Sequence, residues 1–184
     1  MTPYCKSVLE HYSEAWSAPL EAVTFHKGPI WQLPGDFTVL CCAPHSERKT
    51  WTYATRCMSQ PSDSTGIELH MFTKTRVDDV AELLVAMAHY HRTAEPLGLD
   101  HTVNFGRPWL PGSECEFGLI SLPYLDGPKL EWMESGLNRV RFLWVIPISE
   151  SERDFSKREG VSALEERLER ARFDYADSQR RSVV

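Results

Sequence analysis

The residues of this chain that could do chemistry are its acidic, histidine and cysteine side chains. Glu150 and Glu152 are spaced as two carboxylates could be for acid–base work. Both follow Ser149, a residue type that favours the start of a helix, where negative side chains complement the helix dipole. We interpret the two glutamates as helix-start residues first, and as an acidic surface for a basic partner second.

The histidine spacing does not favour a metal site. His89 and His91 lie two residues apart on a predicted helix, so their side chains point about 200° away from each other. No HExxH segment and no paired CxxC spacing occurs in the chain. We therefore predict no metal ion and no other cofactor.

The five cysteines are an odd number, which argues against a closed disulfide framework. Cys41 and Cys42 lie in an apolar run and Cys57 lies in a predicted strand, which favours structural roles. A cysteine-dependent enzyme with Cys57 as its nucleophile stays open as a less favoured alternative, because catalytic partners need not be close in sequence. The chain contains no GxSxG, phosphate-binding or dinucleotide-binding motif.

Length and charge limit the class of protein. The 184 residues fit one domain spanning 1–184, and 42% apolar content is enough for an ordinary core. The net charge of −6, from 26 acidic and 20 basic residues, disfavours nucleic acid and favours a basic protein partner. We find no signal peptide and no membrane span, so the expected location is the cytoplasm.

Hydrophobic periodicity predicts an α+β fold with a mixed, mostly antiparallel sheet flanked by helices. A first helix is capped by Thr2 with Pro3 at its first position, and another begins with Thr75 and Asp78 as a capping box. Three early strands with short connections predict an antiparallel meander. The predicted strands are Phe37–Ala43, Thr50–Met58, Ile67–Phe72, Thr102–Phe105, Phe117–Leu122 and Arg139–Ile148, and the last two helices are Ser149–Lys157 and Ser162–Tyr175.

The segment Val140–Leu168 carries the clearest pattern. Its strand has apolar residues on both faces, which is typical of a central strand covered on each side. Pro147 lacks an N–H, so we expect strand pairing to loosen there. Ser162 and Glu165 match a second capping box. Beyond it, the charge run Arg167–Arg181 predicts a solvated helix face and a frayed tail.

An ordered set of segments resembles the suppressor-of-fused (SUFU-like) domain family over residues 30–170. The strongest are Phe142-Leu-Trp-Val-Ile-Pro-Ile-Ser-Glu-Ser-Glu152 and Lys157-Arg-Glu-Gly-Val-Ser-Ala-Leu-Glu165. The remaining segments are Tyr53-Ala-Thr-Arg-Cys-Met-Ser59, Ile67-Glu-Leu-His70 and Phe117-Gly-Leu-Ile-Ser-Leu-Pro123. The family tends to have Gly before the Met-Ser pair where this chain has Cys57, so a loop of different shape is expected there.

The resemblance implies a binding role without catalysis. Animal members restrain a transcription factor in Hedgehog signalling and carry a further C-terminal domain, whereas this chain is similar in length to bacterial single-domain members. Many of those are thought to be immunity proteins, so the leading hypothesis is an immunity-type protein that neutralises a cognate toxin, such as a basic toxin domain. The alternative is a regulatory or sequestering scaffold in signalling.

Loop aromatics and one strand edge are the remaining candidates for partner contact. Trp109 and Trp132 lie near loops rich in Pro and Gly, where aromatic side chains can anchor a partner or fold back over the core. Together with Glu150 and Glu152 they form the predicted protein-binding set. A small edge strand such as Thr102–Phe105 could also accept a strand from a partner.

Overall fold

The computed structural model describes residues 1–24, 29–63, 66–136 and 138–184, with only the backbone described for Asn138. The helices are α1 (Pro3–Trp16), α2 (Asp78–Thr93), α3 (Pro128–Glu131), α4 (Glu150–Glu159) and α5 (Val161–Ala171), with a short 3-10 helix at Pro29–Gln32. The strands are β1 (Leu20–Val23), β2 (Thr38–Cys42), β3 (Trp51–Arg56), β4 (Gly66–Thr73), β5 (Thr102–Asn104), β6 (Cys115–Ser121), β7 (Trp132–Ser135) and β8 (Asn138–Ser149).

The eight strands form one mixed sheet in the order β1-β2-β3-β4-β8-β6-β5, with β7 paired to β8 beside this path. Among the described strands, β4 and β8 pair in parallel and the other pairings are antiparallel. The α+β fold class is confirmed, and so is the early meander, which β1 extends by one strand.

Helices cover both faces of the sheet. The apolar face of α2 packs on one side, in a core that includes Leu143 and Val145 of β8. On the other side, Phe142 belongs to the cluster beneath α1, and Trp144 and Ile146 belong to the cluster beneath α5. The period-two pattern of β8 therefore predicted its central, doubly covered position correctly.

Two of the predicted helix starts are confirmed by their hydrogen bonds. Thr2 accepts from the N–H of Cys5 at the start of α1, and Pro3 is the first helical residue. Ser149 and Glu152 form a complete capping box at the start of α4. Such a cap satisfies N–H groups that lack a partner inside the helix.

The other two capping boxes were predicted wrongly. Helix α2 has Val77 at its cap, with no side-chain cap bond. Helix α5 follows Gly160 directly, and Glu165 instead accepts hydrogen bonds from the hydroxyls of Ser121 and Tyr124. At α5, the tertiary hydrogen bonds of Glu165 therefore replace the local capping box that the spacing predicted.

Strand pairing continues through Pro147, contrary to the expectation. Pro147 lies opposite Gly118 of β6, in a register that places its backbone oxygen on the other side of β8. That side is open because the pairing of β4 ends at Trp144. The oxygen accepts a hydrogen bond from Arg180 at 2.7 Å. The missing N–H of proline therefore removes no bond to β6.

The C-terminal segment is not a frayed tail. Arg180 is largely buried and its guanidinium forms two bonds of 2.7 Å to the carboxylate of Glu152. The backbone N–H of Val183 donates to the same carboxylate at 3.0 Å. The chain end is therefore bound to the start of α4.

No helix in the described ranges is long and apolar enough to cross a membrane.

Candidate functional site

Strand β5 forms one edge of the sheet and presents unused backbone groups there. Within the described ranges β6 is its one partner strand, and Phe105 N–H donates to the Glu116 carbonyl while Ile120 N–H donates to the His101 carbonyl. Backbone groups alternate in direction along an antiparallel strand. Those of Thr102 and Asn104 therefore face the open side, which is the geometry needed to pair with a strand of another chain.

A groove runs between β5 and α2 beside this edge, with a volume of about 740 Å³. Its lining includes Met87 and Tyr90 from α2 and Val103 and Phe105 from β5 and its end. Tyr90 is exposed, at 40% of its full surface. We call this feature the β5 groove. It could take the side chains of an added strand, because alternate residues of such a strand point towards the sheet face.

Glycine at position 118 holds the wall of this groove in place. A Cβ atom there would lie 2.6 Å from the ring of Phe105 and 2.8 Å from the side chain of Val145. The absence of a side chain at Gly118 lets the Phe105 ring approach the backbone of β6 closely. Asn104 then turns the chain out of β5 by accepting from the N–H of Gly106 at 2.7 Å.

The four residues predicted to bind a partner do not form one surface. Glu150 is exposed at the start of α4, with an ion pair to Arg153. Trp132 begins β7 and is 37% exposed. It pairs with Arg141, nine residues before Glu150 on an extended strand, which separates the two by about 30 Å.

Trp109 and Glu152, both predicted to bind a partner, are buried, so neither side chain is exposed on the protein surface. Trp109 is 1% exposed and belongs to the core beneath α2, as the alternative reading of loop aromatics allowed. Glu152 is fully buried in its bonds to Arg180 and Val183. Burial alone would raise the pKa of Glu152, but the Arg180 guanidinium and backbone N–H donors hold it below the ordinary value.

A disulfide joins Cys5 of α1 to Cys57 at the end of β3, with the two Cα atoms 5.5 Å apart. The odd cysteine count argued against a closed disulfide framework, and the structure has this one disulfide beside three free, buried cysteines, Cys41, Cys42 and Cys115. Cys57 has a φ of +66°, a backbone conformation that favours glycine. Cys57 thus adopts a left-handed conformation here without being glycine, and the expected difference in loop shape from other family members stays a prediction. A disulfide-bonded sulfur is not a nucleophile, which removes support for Cys57 catalysis.

A buried carboxylate organises the loop after Cys57. Glu68 of β4 is fully buried and accepts from the hydroxyl of Thr55 at 2.6 Å and from the N–H groups of Met58 and Ser59. Burial raises the pKa of Glu68 to about 7, although these hydrogen bonds oppose the shift. The segment Tyr53–Ser59, which carries part of the family resemblance, therefore ends in a turn around the buried Glu68. The spacing of residues in the sequence had not indicated this role for Glu68.

His70 and Asp126 form a second buried polar cluster. Their Nε2 and Oδ2 atoms lie 3.6 Å apart, while the other oxygen of Asp126 accepts from Trp16 Nε1 at 2.8 Å and pairs with Arg48. Burial lowers the pKa of His70 to about 4, so this histidine is neutral near pH 7. The cluster joins α1, β4 and two loops beneath the surface. Within the described ranges, no three metal-ligating side chains converge.

The SUFU family model, described as suppressor of fused protein, matches residues 35–181. The chain belongs to the suppressor of fused family. Its structure is similar to the crystal structure of a SUFU homolog from Neisseria gonorrhoeae, with a TM-score of 0.86 and 32% identity over 98% of this chain and 97% of that one. The match confirms the resemblance to bacterial members of SUFU type.

Two more distant structures share the fold at 14% identity. One comes from the Sufu-Fu complex, with a TM-score of 0.71 over 98% of this chain and 92% of that one. The other is Suppressor of Fused from Drosophila, with a TM-score of 0.70 over 98% of this chain but only 51% of that one. This chain thus spans about half of the Drosophila protein. No curated protein matches it.

Proposed function

We propose that this SUFU-family protein binds another protein by adding a strand of the partner to β5. The observation that carries the proposal is the open edge of β5 beside an apolar groove. Backbone hydrogen bonds from Thr102 and Asn104 would supply affinity, and side chains entering the β5 groove would supply specificity. The complex of Sufu with Fu supports a partner that is a protein, since it is an assembly of a relative with the same fold.

We further propose that the role is non-catalytic, and that the protein is an immunity-type protein that neutralises a toxin in the cytoplasm. The acidic balance of the chain, −6, favours a basic toxin domain. The groups that suggested catalysis instead have structural partners: Cys57 is in a disulfide, and Glu152 is paired with Arg180. Glu150 and Trp132 remain as exposed candidates for additional contact.

A proline at the edge of β5 tests the proposal. Thr102→Pro removes an N–H that faces the open side, at a strand position where proline is tolerated. Thr102→Val is the matched control, because it keeps that N–H and changes only the side chain. The partner to test is the product of the neighbouring gene, co-expressed and purified with each variant.

We expect the wild type and Thr102→Val to bind this partner and to protect cells from it, whereas Thr102→Pro binds about tenfold more weakly. Urea unfolding should place both variants within about 1 kcal/mol of the wild type. Equal binding by a folded Thr102→Pro variant would contradict strand addition. A bound partner that is not toxic would favour the second candidate, a regulatory or sequestering scaffold, for which the Sufu-Fu assembly is the precedent.

A further inference from the structure

A second groove lies on the opposite face of the sheet from α2, between α5 and β8, with a volume of about 720 Å³. Its floor is aromatic and aliphatic. Trp144 and Ile146 of β8 contribute one side, and Phe173 and Tyr175 after α5 contribute the other. We call this the α5 groove.

The aromatic floor is preassembled. The rings of Trp144 and Tyr175 lie 5.5 Å apart in an edge-to-face arrangement, and those of Trp144 and Phe173 lie 6.2 Å apart. Trp144 is held from beneath by Phe72, at 5.6 Å. Phe173 and Tyr175 are only partly buried, so their surfaces towards the groove remain accessible. Such rings attract a cation placed over their faces.

The rim of the α5 groove is acidic. Among the described residues that line it are Glu165, Glu166 and Glu169, with Arg172 as the cation of the lining, while the nearby Arg180 lies 5.5 Å from the Phe173 ring and is paired with Glu152. In the described part of the chain, none of these three glutamates has an ion-pair partner within 4.0 Å. By contrast, the nearby carboxylates of Asp174 and Asp177 are both neutralised by Lys74 at 2.8 Å. Three carboxylates against one guanidinium leave the lining of the groove with a net negative charge.

Apolar side chains continue the rim outwards. Tyr124 and Leu125 are 58% and 46% exposed at its mouth. The hydroxyl of Tyr124 lies 3.3 Å from Glu165, which connects this apolar edge to the acidic one. An occupant must therefore combine a positive charge with aliphatic surface.

We infer that the α5 groove binds an arginine-bearing, otherwise apolar segment of a partner protein. A planar guanidinium can stack on an aromatic ring and donate to carboxylates at the same time, which an ammonium group does less well. The flanking aliphatic residues of the segment would cover Tyr124 and Leu125. This site is independent of the β5 edge, because the two grooves lie on opposite faces of the sheet.

The test uses the full chain and two defined peptides. The probe is N-acetyl-Leu-Arg-Leu-amide, and its control replaces arginine by citrulline, which has nearly the same shape without charge. Backbone and indole N–H resonances are followed by NMR during titration at low salt. We expect shifted resonances at Trp144 and along α5 to Tyr175. The affinity obtained from the titration should decrease as salt is added and should be about fivefold lower for the citrulline peptide.

Paired variants separate the rim from general charge effects. Glu166→Gln with Glu169→Gln should weaken the arginine peptide about fivefold. Glu10→Gln with Glu14→Gln removes the same charge from the exposed surface of α1 and should leave binding unchanged. Thr102→Pro should also leave binding of the arginine peptide unchanged. The test of the α5 groove is therefore independent of the test of strand addition to β5.

Several outcomes would overturn the inference. Absence of shifts at millimolar peptide, equal shifts with citrulline, or shifts confined to other surfaces would each exclude an arginine site here. Shifts at the same residues that depend on protein concentration without peptide would assign the groove to a second copy of the chain instead.

Discussion

At the residue scale, Glu68 shows how a titratable side chain can be structural and still govern pH behaviour. Its carboxylate binds the turn that holds Cys57, Met58 and Ser59. A pKa raised to about 7 means that the folded protein retains a proton that the unfolded chain has lost. Stability from this group is therefore greatest at low pH and decreases as the pH rises from about 4.5 to about 7.

Glu68→Gln should remove this pH dependence. Between pH 5 and pH 8, the free energy of unfolding of the wild type should fall by about 2.5 kcal/mol relative to that of the variant. Taking the difference between the two proteins cancels the titration of all other groups. Urea unfolding at pH 5, 6, 7 and 8 measures it. A constant difference between the two proteins across this range would show that Glu68 does not titrate there.

His70 contributes a pH dependence of stability of the opposite sign to that of Glu68. For this reason the wild type must be compared with Glu68→Gln at each pH. Its pKa lies below that of a free histidine, so the unfolded chain takes up a proton first as the pH falls. The contribution of His70 to stability is complete above about 6.5 and is lost towards pH 4. In the wild type alone, the two slopes would partly offset each other.

At the element scale, the start of α4 is held by a residue from the far end of the chain. Arg180 and Glu152 are both buried, and each has further hydrogen bonds, to Pro147 and to the backbone of Ser149 and Val183. Removing one member of such a pair leaves an uncompensated buried charge. The low pKa of Glu152 also means that this contribution is present at neutral pH and is lost as the pH falls through it.

Arg180→Ala should destabilise the protein by about 3–5 kcal/mol at pH 7. Arg181→Ala is the matched control, since Arg181 is exposed and adjacent, and its effect should stay within about 0.5 kcal/mol. Chemical denaturation of both variants measures the free energies. Equal, small effects at the two positions would indicate that the terminal segment does not stabilise α4 in solution.

At the scale of the whole molecule, the sheet separates two proposed binding faces, and the disulfide attaches α1 to the end of the interior strand β3. The sequence separation of 52 residues between Cys5 and Cys57 is long enough for a crosslink to restrict the unfolded chain strongly. The bond also holds α1, with its buried Tyr4 and Tyr12, against Phe142 of β8. The β5 groove lies away from it, on the α2 side.

Cys5→Ser should lower the free energy of unfolding by about 2–4 kcal/mol under oxidising conditions. A thiol reductant should lower the stability of the wild type towards that of the variant and leave the variant itself unchanged. Thermal unfolding with and without reductant provides the measurement. A wild type that is insensitive to reductant would contradict a stabilising disulfide.

Much of the fold could be predicted from the sequence because local periodicity reports burial. The alternation in β8 and the Ser149 cap predicted a central strand and the helix after it. Two strands were missed for local reasons. Leu20–Val23 has no alternation of buried and exposed residues, and Trp132–Ser135 follows a short helix without a turn signal between them. Pairing with β2 and β8 stabilises these segments, and this information is not local.

Residue type and spacing alone determined the α+β class, the central position of β8 and the acidic balance, and the resemblance of ordered segments added the SUFU family. Only the tertiary structure decided which polar residues are accessible. Glu152 and Trp109 are buried by segments distant in sequence, whereas Glu150 and Trp132 stay exposed. The pairing of Cys5 with Cys57 and the two grooves also depend on contacts between residues far apart in the chain. The spacing of residues along one strand or helix does not encode such contacts.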